Sequence, residues 1–222
     1  MKKITSSGVY FLGQNDNDII IESGKEVILI DIISSSNIKR KITGVGGQSI
    51  KYFGCFFGDS NFEINLNYDF EGINSEVKTL FLNKNGQLRG KLSNNIRTPN
   101  VACDVSMVGM AGNNGVIDVD GSIKIEKNCN ESKGFLSQEN IFLDDTGSIK
   151  IIPRLDIYCN QVQASHGAKI SKLDPMKIFY ITSKGITQRD CKEMIISGYI
   201  NNFFEQVDQQ EKKNNVLDYI LD

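Results

Sequence analysis

The sequence has no tryptophan, one histidine (His166) and three prolines in 222 residues. It has no excess of either charge: 25 Lys and Arg stand against 27 Asp and Glu, a net charge of -2. Such a balance leaves no electrostatic footprint for nucleic acid. The short basic stretch Lys39-Arg40-Lys41 is expected to be a solvated turn. No apolar run approaches the ~20 residues that cross a bilayer. The longest, Val27 to Ile33, is interrupted by Asp31, so no membrane association is expected. The start, Met1 to Gly8, has two lysines with no apolar stretch behind them, and a secretory signal is not expected. Five cysteines are present, an odd number, and none lies in a Cys-x-x-Cys spacing. Free thiols in a reducing compartment are expected: the cytoplasm, or an organelle stroma or matrix.

What is present points to many turns. Twenty glycines and abundant asparagine supply the left-handed backbone that tight turns need. Between the turns lie short strands. Phe62, Ile64, Leu66 and Tyr68 alternate with Glu63, Asn65 and Asn67, and Ile117 to Asp120 alternates likewise. Glu26 to Ile33 and Val77 to Leu82 are denser apolar runs, suited to strands covered more fully. Many short strands fit a sandwich, a barrel or a solenoid. One recurrence favours the solenoid: Gly121-Ser122-Ile123-Lys124-Ile125 returns as Gly147-Ser148-Ile149-Lys150-Ile151.

From Asp174 the period changes. Asp174-Pro175 is a helix start, with Asp as cap and Pro at the first helical position. Met176, Phe179 and Tyr180 fall on one helical face, and Gly185 suits a stop. Thr187 with Asp190 opens a second helix. Its inner stripe is expected to hold Cys191, Met194, Ile195, Gly198, Phe203 and Val207. A last short helix is expected over 216–221. The reading is a mainly β chain: a β-helix core over 1–173 and a C-terminal helical region over 174–222, the latter closing one end of the solenoid.

Residues 153–198 carry a family resemblance. The segment runs Pro153-Arg154-Leu155-Asp156-Ile157, then Val162-Gln163-Ala164-Ser165-His166-Gly167-Ala168, Leu173-Asp174, Phe179-Tyr180, Ser183-Lys184-Gly185-Ile186 and Ile195-Ile196. This ordered set resembles the end of the SufB/SufD family of iron–sulfur cluster assembly proteins. The resemblance implies a right-handed parallel β-helix with a C-terminal helical tail. It implies a non-catalytic scaffold subunit that pairs through its β-helix and docks an ABC-type ATPase, SufC, through its helices. B-type members carry His-Glu-Ala where this chain has His166-Gly167-Ala168, and an upstream cysteine that the stretch from Gly134 to Leu143 lacks. Both differences favour the D-type. Lys184 stands where the family usually has arginine, so a bidentate contact there would be weakened. The family's N-terminal helical region has no counterpart, which implies a shortened member.

The candidate sites follow. Imidazole binds iron or moves protons near neutral pH, and His166 would otherwise be an ordinary surface histidine. The resemblance places it at the pairing interface, with Ser165, Gly167 and Ala168 forming its turn. Cys159, earlier in the same segment, is a candidate cluster ligand; a small packed residue is the simpler reading. Phe179, Tyr180, Lys184 and Gly185 are candidates for ATPase docking. Gly44-Val45-Gly46-Gly47 lacks the Gly-Lys-Ser/Thr ending of a phosphate loop. Implied partners are a SufC-like ATPase, a SufB-like subunit or a second copy, and sulfur donors indirectly. No tightly bound cofactor is expected, and an iron–sulfur cluster would be transient cargo. A self-pairing scaffold using Cys159 and His166, and a polymer-forming β-helix, remain alternatives. A β-helical polysaccharide enzyme would need a carboxylate cluster that the sequence does not offer.

Overall fold

The computed structural model describes residues 1–24 and 26–205. Val207 and the short helix expected over 216–221 lie outside the described residues. The first strands are β1 (Lys2–Ile4), β2 (Gly8–Phe11), β3 (Asp18–Ile21), β4 (Glu26–Ser34) and β5 (Asn37–Gly44). There follow β6 (Ser49–Phe57), β7 (Ser60–Tyr68), β8 (Asn74–Asn83), β9 (Gln87–Ile96) and β10 (Ala102–Ala111). The last are β11 (Val116–Ile125), β12 (Ser132–Phe142), β13 (Ser148–Ile157) and β14 (Val162–Lys172), before helices α1 (Pro175–Thr182) and α2 (Gln188–Phe204).

Odd-numbered strands form one seven-stranded sheet and even-numbered strands another. Within each, alternate strands of the chain pair in parallel, as Val105 with Leu136 and Ile117 with Ile149. The chain thus winds between two sheets, one strand in each per rung, as a parallel β-solenoid. Rungs lengthen along the chain. The stretch from Lys2 to its partner Ile19 is much shorter than that from Val116 to its partner Ser148. The recurring pentapeptide belongs to neighbouring strands but not to one register. Gly121 pairs with Pro153, and Ser148 with Val116. The solenoid is therefore right, but that repeat is not its period. What recurs between rungs is which face is apolar.

The two sheets are buried differently. Along β11 buried and half-buried residues alternate, because the odd sheet covers only its inner face. Phe62, Ile64, Leu66 and Tyr68 all point inward, as the alternation requires. Inside, Phe56, Phe62 and Phe81 stack, with ring centroids 4.3 Å apart for Phe56 and Phe62 and 5.5 Å for Phe62 and Phe81. Gly90 faces this stack, and a Cβ there would run into the Phe62 ring. The even sheet is apolar on both faces over the later halves of its strands, which is why they read as dense runs there, while Lys51, Glu76, Lys78 and Asp104 face outward in the earlier halves. Its outer face carries Ile30, Phe53, Cys55, Leu80, Leu82, Met110 and Ile141, and α2 lies across them with Ile196, Ile200 and Phe204.

Four sequence expectations change here. The tail does not close the solenoid; it lies along the outer face of the even sheet, where the larger apolar area is. The α2 stripe is rotated from the expected one. Cys191 is buried with Ile196, Ile200 and Phe204, whereas Met194 and Gly198 are exposed and Ile195 and Phe203 half-buried. Apolar residues surround this helix on most sides, so periodicity alone did not select the face. The Lys39-Arg40-Lys41 turn is part of β5, and Arg40 is fully buried. Its guanidinium donates to both carboxylate oxygens of Asp31, at 2.9 and 3.0 Å, and to the Asp16 carbonyl. Tyr52 donates to the same carboxylate. The charge that interrupts the Val27 to Ile33 run thus has its partner inside the solenoid. Finally, Ser165-His166-Gly167-Ala168 is no turn. These residues form the middle of β14, paired without a break to β12. Gly167 has no positive φ that would call for a turn, and the ladder of backbone hydrogen bonds keeps the segment straight.

Candidate functional site

The last rung, β13 and β14, differs from the middle rungs and, like β1 and β2 at the other end, stands at the edge of both sheets. β14 pairs with β12 on one side, and no described strand pairs with its other side. An edge of this kind presents a row of unpaired backbone donors and acceptors. Its side chains are equally uncovered. In register, β14 follows β12, whose inward residues include Leu136 of the inner core. Side chains alternate along a strand, and parallel neighbours share a face. Val162, Ala164, His166, Ala168 and Ile170 therefore form the inward row of β14. With no described rung above them, they line the mouth of the solenoid instead of its interior. Ile149, Ile151, Pro153, Leu155 and Ile157 form the facing row of β13, because they pair with Ile117, Val119, Gly121, Ile123 and Ile125.

Large apolar side chains crowd this mouth. Ile170 is 73% exposed, and Ile157 and the adjoining Tyr158 are also exposed. His166 stands among them, exposed, with Ala164 and Ala168 on either side of it in the row. It is the one titratable group in the inward row of β14 from Val162 to Ile170. Leu136 lies beneath it, and the interior becomes polar beneath Ala168 and Ile170. Gln138 donates to the Ile151 carbonyl at 2.9 Å, while its own amide oxygen and that of Asn140 have no partner.

Cys159 sits elsewhere in the same rung, at the corner between β13 and β14. It is buried, belongs to the inner core cluster, and its thiol donates to the Asn130 side-chain oxygen at 3.0 Å. From Val162 the chain runs straight to His166, roughly 13 Å at about 3.3 Å per residue. The fold puts Cys159 and His166 in one rung without bringing them together. Among the described residues no group of three or more His, Cys, Asp or Glu is placed to hold a metal ion.

The helices provide a second surface. Asp174 caps α1, accepting from the Met176 N–H at 2.9 Å, and Thr187 caps α2, accepting from the Asp190 N–H at 3.1 Å. α1 buries none of its residues. Phe179 is 67% exposed, and Met176 and Tyr180 are exposed beside it. Lys184 lies 5.5 Å from the centre of the Tyr180 ring, and Gly185 follows with φ of 90°. Beneath α1 runs a groove of about 740 Å³, lined by Leu143, Leu173, Pro175, Ile178, Phe179 and Ile186. One carboxylate links this surface to the edge strand. Glu139 on β12 receives Lys169 of β14 at 2.6 Å and the Tyr199 hydroxyl of α2 at 3.3 Å. That bond raises the Lys169 pKa, and burial followed by the nearby Glu139 raises that of Tyr199.

Residues 47–199 match the family model described as SUF system FeS cluster assembly, SufBD core domain. The chain belongs to the SufB/SufD family. Within the SufB/SufD family, it is 30% identical over 97 residues to the iron–sulfur cluster assembly protein SufD of Escherichia coli K12, covering 44% of this chain and 23% of that protein. It is 23% identical over 111 residues to an iron–sulfur cluster assembly SufBD family protein of Staphylococcus aureus USA300, covering 50% of this chain and 24% of that protein. The chain thus spans about a quarter of the length of these curated relatives. Sequence reading named His166 and the helical surface as candidates, both of which the structure leaves exposed. It missed the apolar mouth, because Ile157 and Ile170 read as ordinary core residues of strands whose neighbours are assumed to exist.

Proposed function

We propose that this chain is a D-type, non-catalytic scaffold subunit in iron–sulfur cluster assembly. Its β-helix core over 1–173 pairs with a B-type subunit, and its helical region from 174 docks a SufC-like ABC ATPase. The observation that carries the reading is the open last rung. An unpaired strand edge beside exposed Ile157, Tyr158 and Ile170 is the composition of a covered interface core, not of a free surface. A second solenoid added there continues both the backbone ladder and the apolar interior. His166 then lies inside the joint, where a neutral imidazole can meet iron of the nascent cluster, the cargo, beside ligands from the partner. The likeness to the Escherichia coli protein named SufD supports the D-type assignment.

The ATPase surface rests on α1. A short helix with no buried residue gains little from its own fold and presents Met176, Phe179 and Tyr180 outward. Glu139 offers a mechanical link from the helices to β14, so motion imposed at α2 reaches the strand that bears His166. A second copy is the other candidate for the open edge, since β14 offers a second copy the same unpaired backbone.

Co-expression with SufC-like and SufB-like subunits from the same source tests the reading. A stable complex with both is expected. Ile170→Asp should release the B-type subunit alone, and Phe179→Ala with Tyr180→Ala the ATPase alone. Failure to co-purify with either subunit would remove the proposal. A dimer of this chain alone that Ile170→Asp splits would favour self-pairing.

A further inference from the structure

Counted back from the Ser132–Val162 pair, Cys129 and Cys159 fall level in consecutive rungs, although the corner that holds Cys129 is two residues longer, 126–131 against 158–161. Ser132 pairs with Val162, and Cys129 precedes Ser132 by the same interval as Cys159 precedes Val162. Asn130 and Asn160 match in the same way. Each Cys-Asn pair forms part of the corner that leads into an even strand. The corners are stacked in register, with the Glu131 N–H donating to the Gln161 carbonyl at 2.8 Å. The Cys159 thiol reaches the side chain of Asn130, the residue next to Cys129. Burial raises the Cys129 pKa, and the nearness of Cys159 raises it further. The ladder that starts at Ser132 and Val162 holds its strands ~4.8 Å apart, and a disulfide spans ~4.4–6.8 Å between Cα atoms. The Cys129 thiol, which donates to the Ile96 and Lys127 carbonyls, must turn toward Cys159 to form one. The other three cysteines are placed differently. Cys55 is under α2, Cys191 is on α2, and Cys103 is beside Tyr68.

We propose that Cys129 and Cys159 form a reversible redox pair that staples the last two rungs, with a small-molecule disulfide as oxidant. Cys159 is the entry point. It is 9% exposed in the open rung, whereas Cys129 is wholly buried. Its thiolate attacks the disulfide RSSR, forming a mixed disulfide and releasing one thiolate. The Cys129 sulfur, giving up its proton, then attacks the Cys159 sulfur and releases the second. Two thiols and RSSR become one internal disulfide and two RSH, so atoms and electrons balance. The attacking sulfur becomes accessible through local opening of the last rung. Once formed, the bond ties the corner that feeds β14 to the corner beneath it. The pair therefore offers redox control over the mobility of the edge strand, and it stands whether or not that edge binds a partner.

The test uses the full chain and oxidised glutathione. After incubation the protein is denatured, free thiols are alkylated, and the peptides are mapped by mass spectrometry. Two of the five thiols should be lost, with a Cys129–Cys159 peptide lighter by two hydrogens and reversed by dithiothreitol. In Cys129→Ser, glutathione should stay on Cys159. Five alkylated thiols, glutathione retained on Cys159 of the parent chain, or a bond between other cysteines would each overturn the proposal. The parent-chain map is decisive even if the variant fails to fold.

Discussion

The middle rungs and the last rung are built from the same kind of strand and end in opposite states. In β7 to β10 every strand has a neighbour on each side, and Tyr68, Phe81, Leu92 and Val105 are wholly buried. In β13 and β14 the same inward positions hold Pro153, Ile157, His166 and Ile170, half-buried or exposed. The difference teaches that burial in a solenoid is conferred by the next rung, not by the residue. Stability and function are therefore separable along the chain. Residues that hold the middle rungs should tolerate little, and residues that look equally apolar at the mouth should matter only to a partner.

The largest expected effect is in the interior. Asp31→Ala leaves the Arg40 guanidinium buried without its carboxylate, which should cost about 3–5 kcal/mol. Phe81→Ala removes one ring of the stack and should cost about 3–5 kcal/mol as well. Urea unfolding of the isolated chain checks both. A loss under ~1 kcal/mol at either site would show that the middle rungs relax far more than the packing implies.

At the mouth, Ile170→Asp should change the stability of the isolated chain by less than about 0.5 kcal/mol, since it alters an exposed site. It should nevertheless abolish pairing, measured by size-exclusion chromatography with a B-type partner. His166→Ala should leave pairing largely intact and lower the cluster retained after anaerobic reconstitution of the complex. Retention equal to the parent would remove His166 as a ligand.

Thiol chemistry sharpens the same contrast. Burial drives the Cys103 pKa to about 12 and pushes Cys55 higher still. Alkylation proceeds through the thiolate, so both should resist iodoacetamide in native protein at neutral pH, while Cys159 in the open rung reacts first. Equal reactivity of Cys103 and Cys159 would contradict the difference between rungs. The smallest effect is at Glu139. Glu139→Ala breaks a partly exposed pair and should cost no more than ~1 kcal/mol, measured as faster hydrogen exchange confined to β14.

Much of this was legible in the sequence. The alternation of Phe62 to Tyr68 predicted an inner face, and the dense runs at Glu26 and Val77 predicted strands covered more fully, without saying by what. Asp174-Pro175 and Thr187 marked both helix starts, because capping is local chemistry. Three things were not legible. The buried partnership of Asp31 with Arg40 joins different sheets, and neither residue signals the other along the chain. The face of α2 could not be chosen, because Met194 and Ile195 are as apolar as Ile196 and Ile200. The straightness of Ser165 to Ala168 comes from β12, a full rung earlier in the chain. Residues that often make turns form a strand when an in-register partner is supplied. The openness of the mouth was likewise hidden, since it depends on which strand is not there to pair.

The open edge is tested most directly by hydrogen exchange of β14, residues 162–172, in the chain alone and bound to its B-type partner. Amides of β14 should exchange rapidly in the free chain and slow by an order of magnitude or more in the complex, while β9, residues 87–96, stays unchanged. A stable complex in which β14 exchanges as fast as in the free chain would contradict pairing through the last rung.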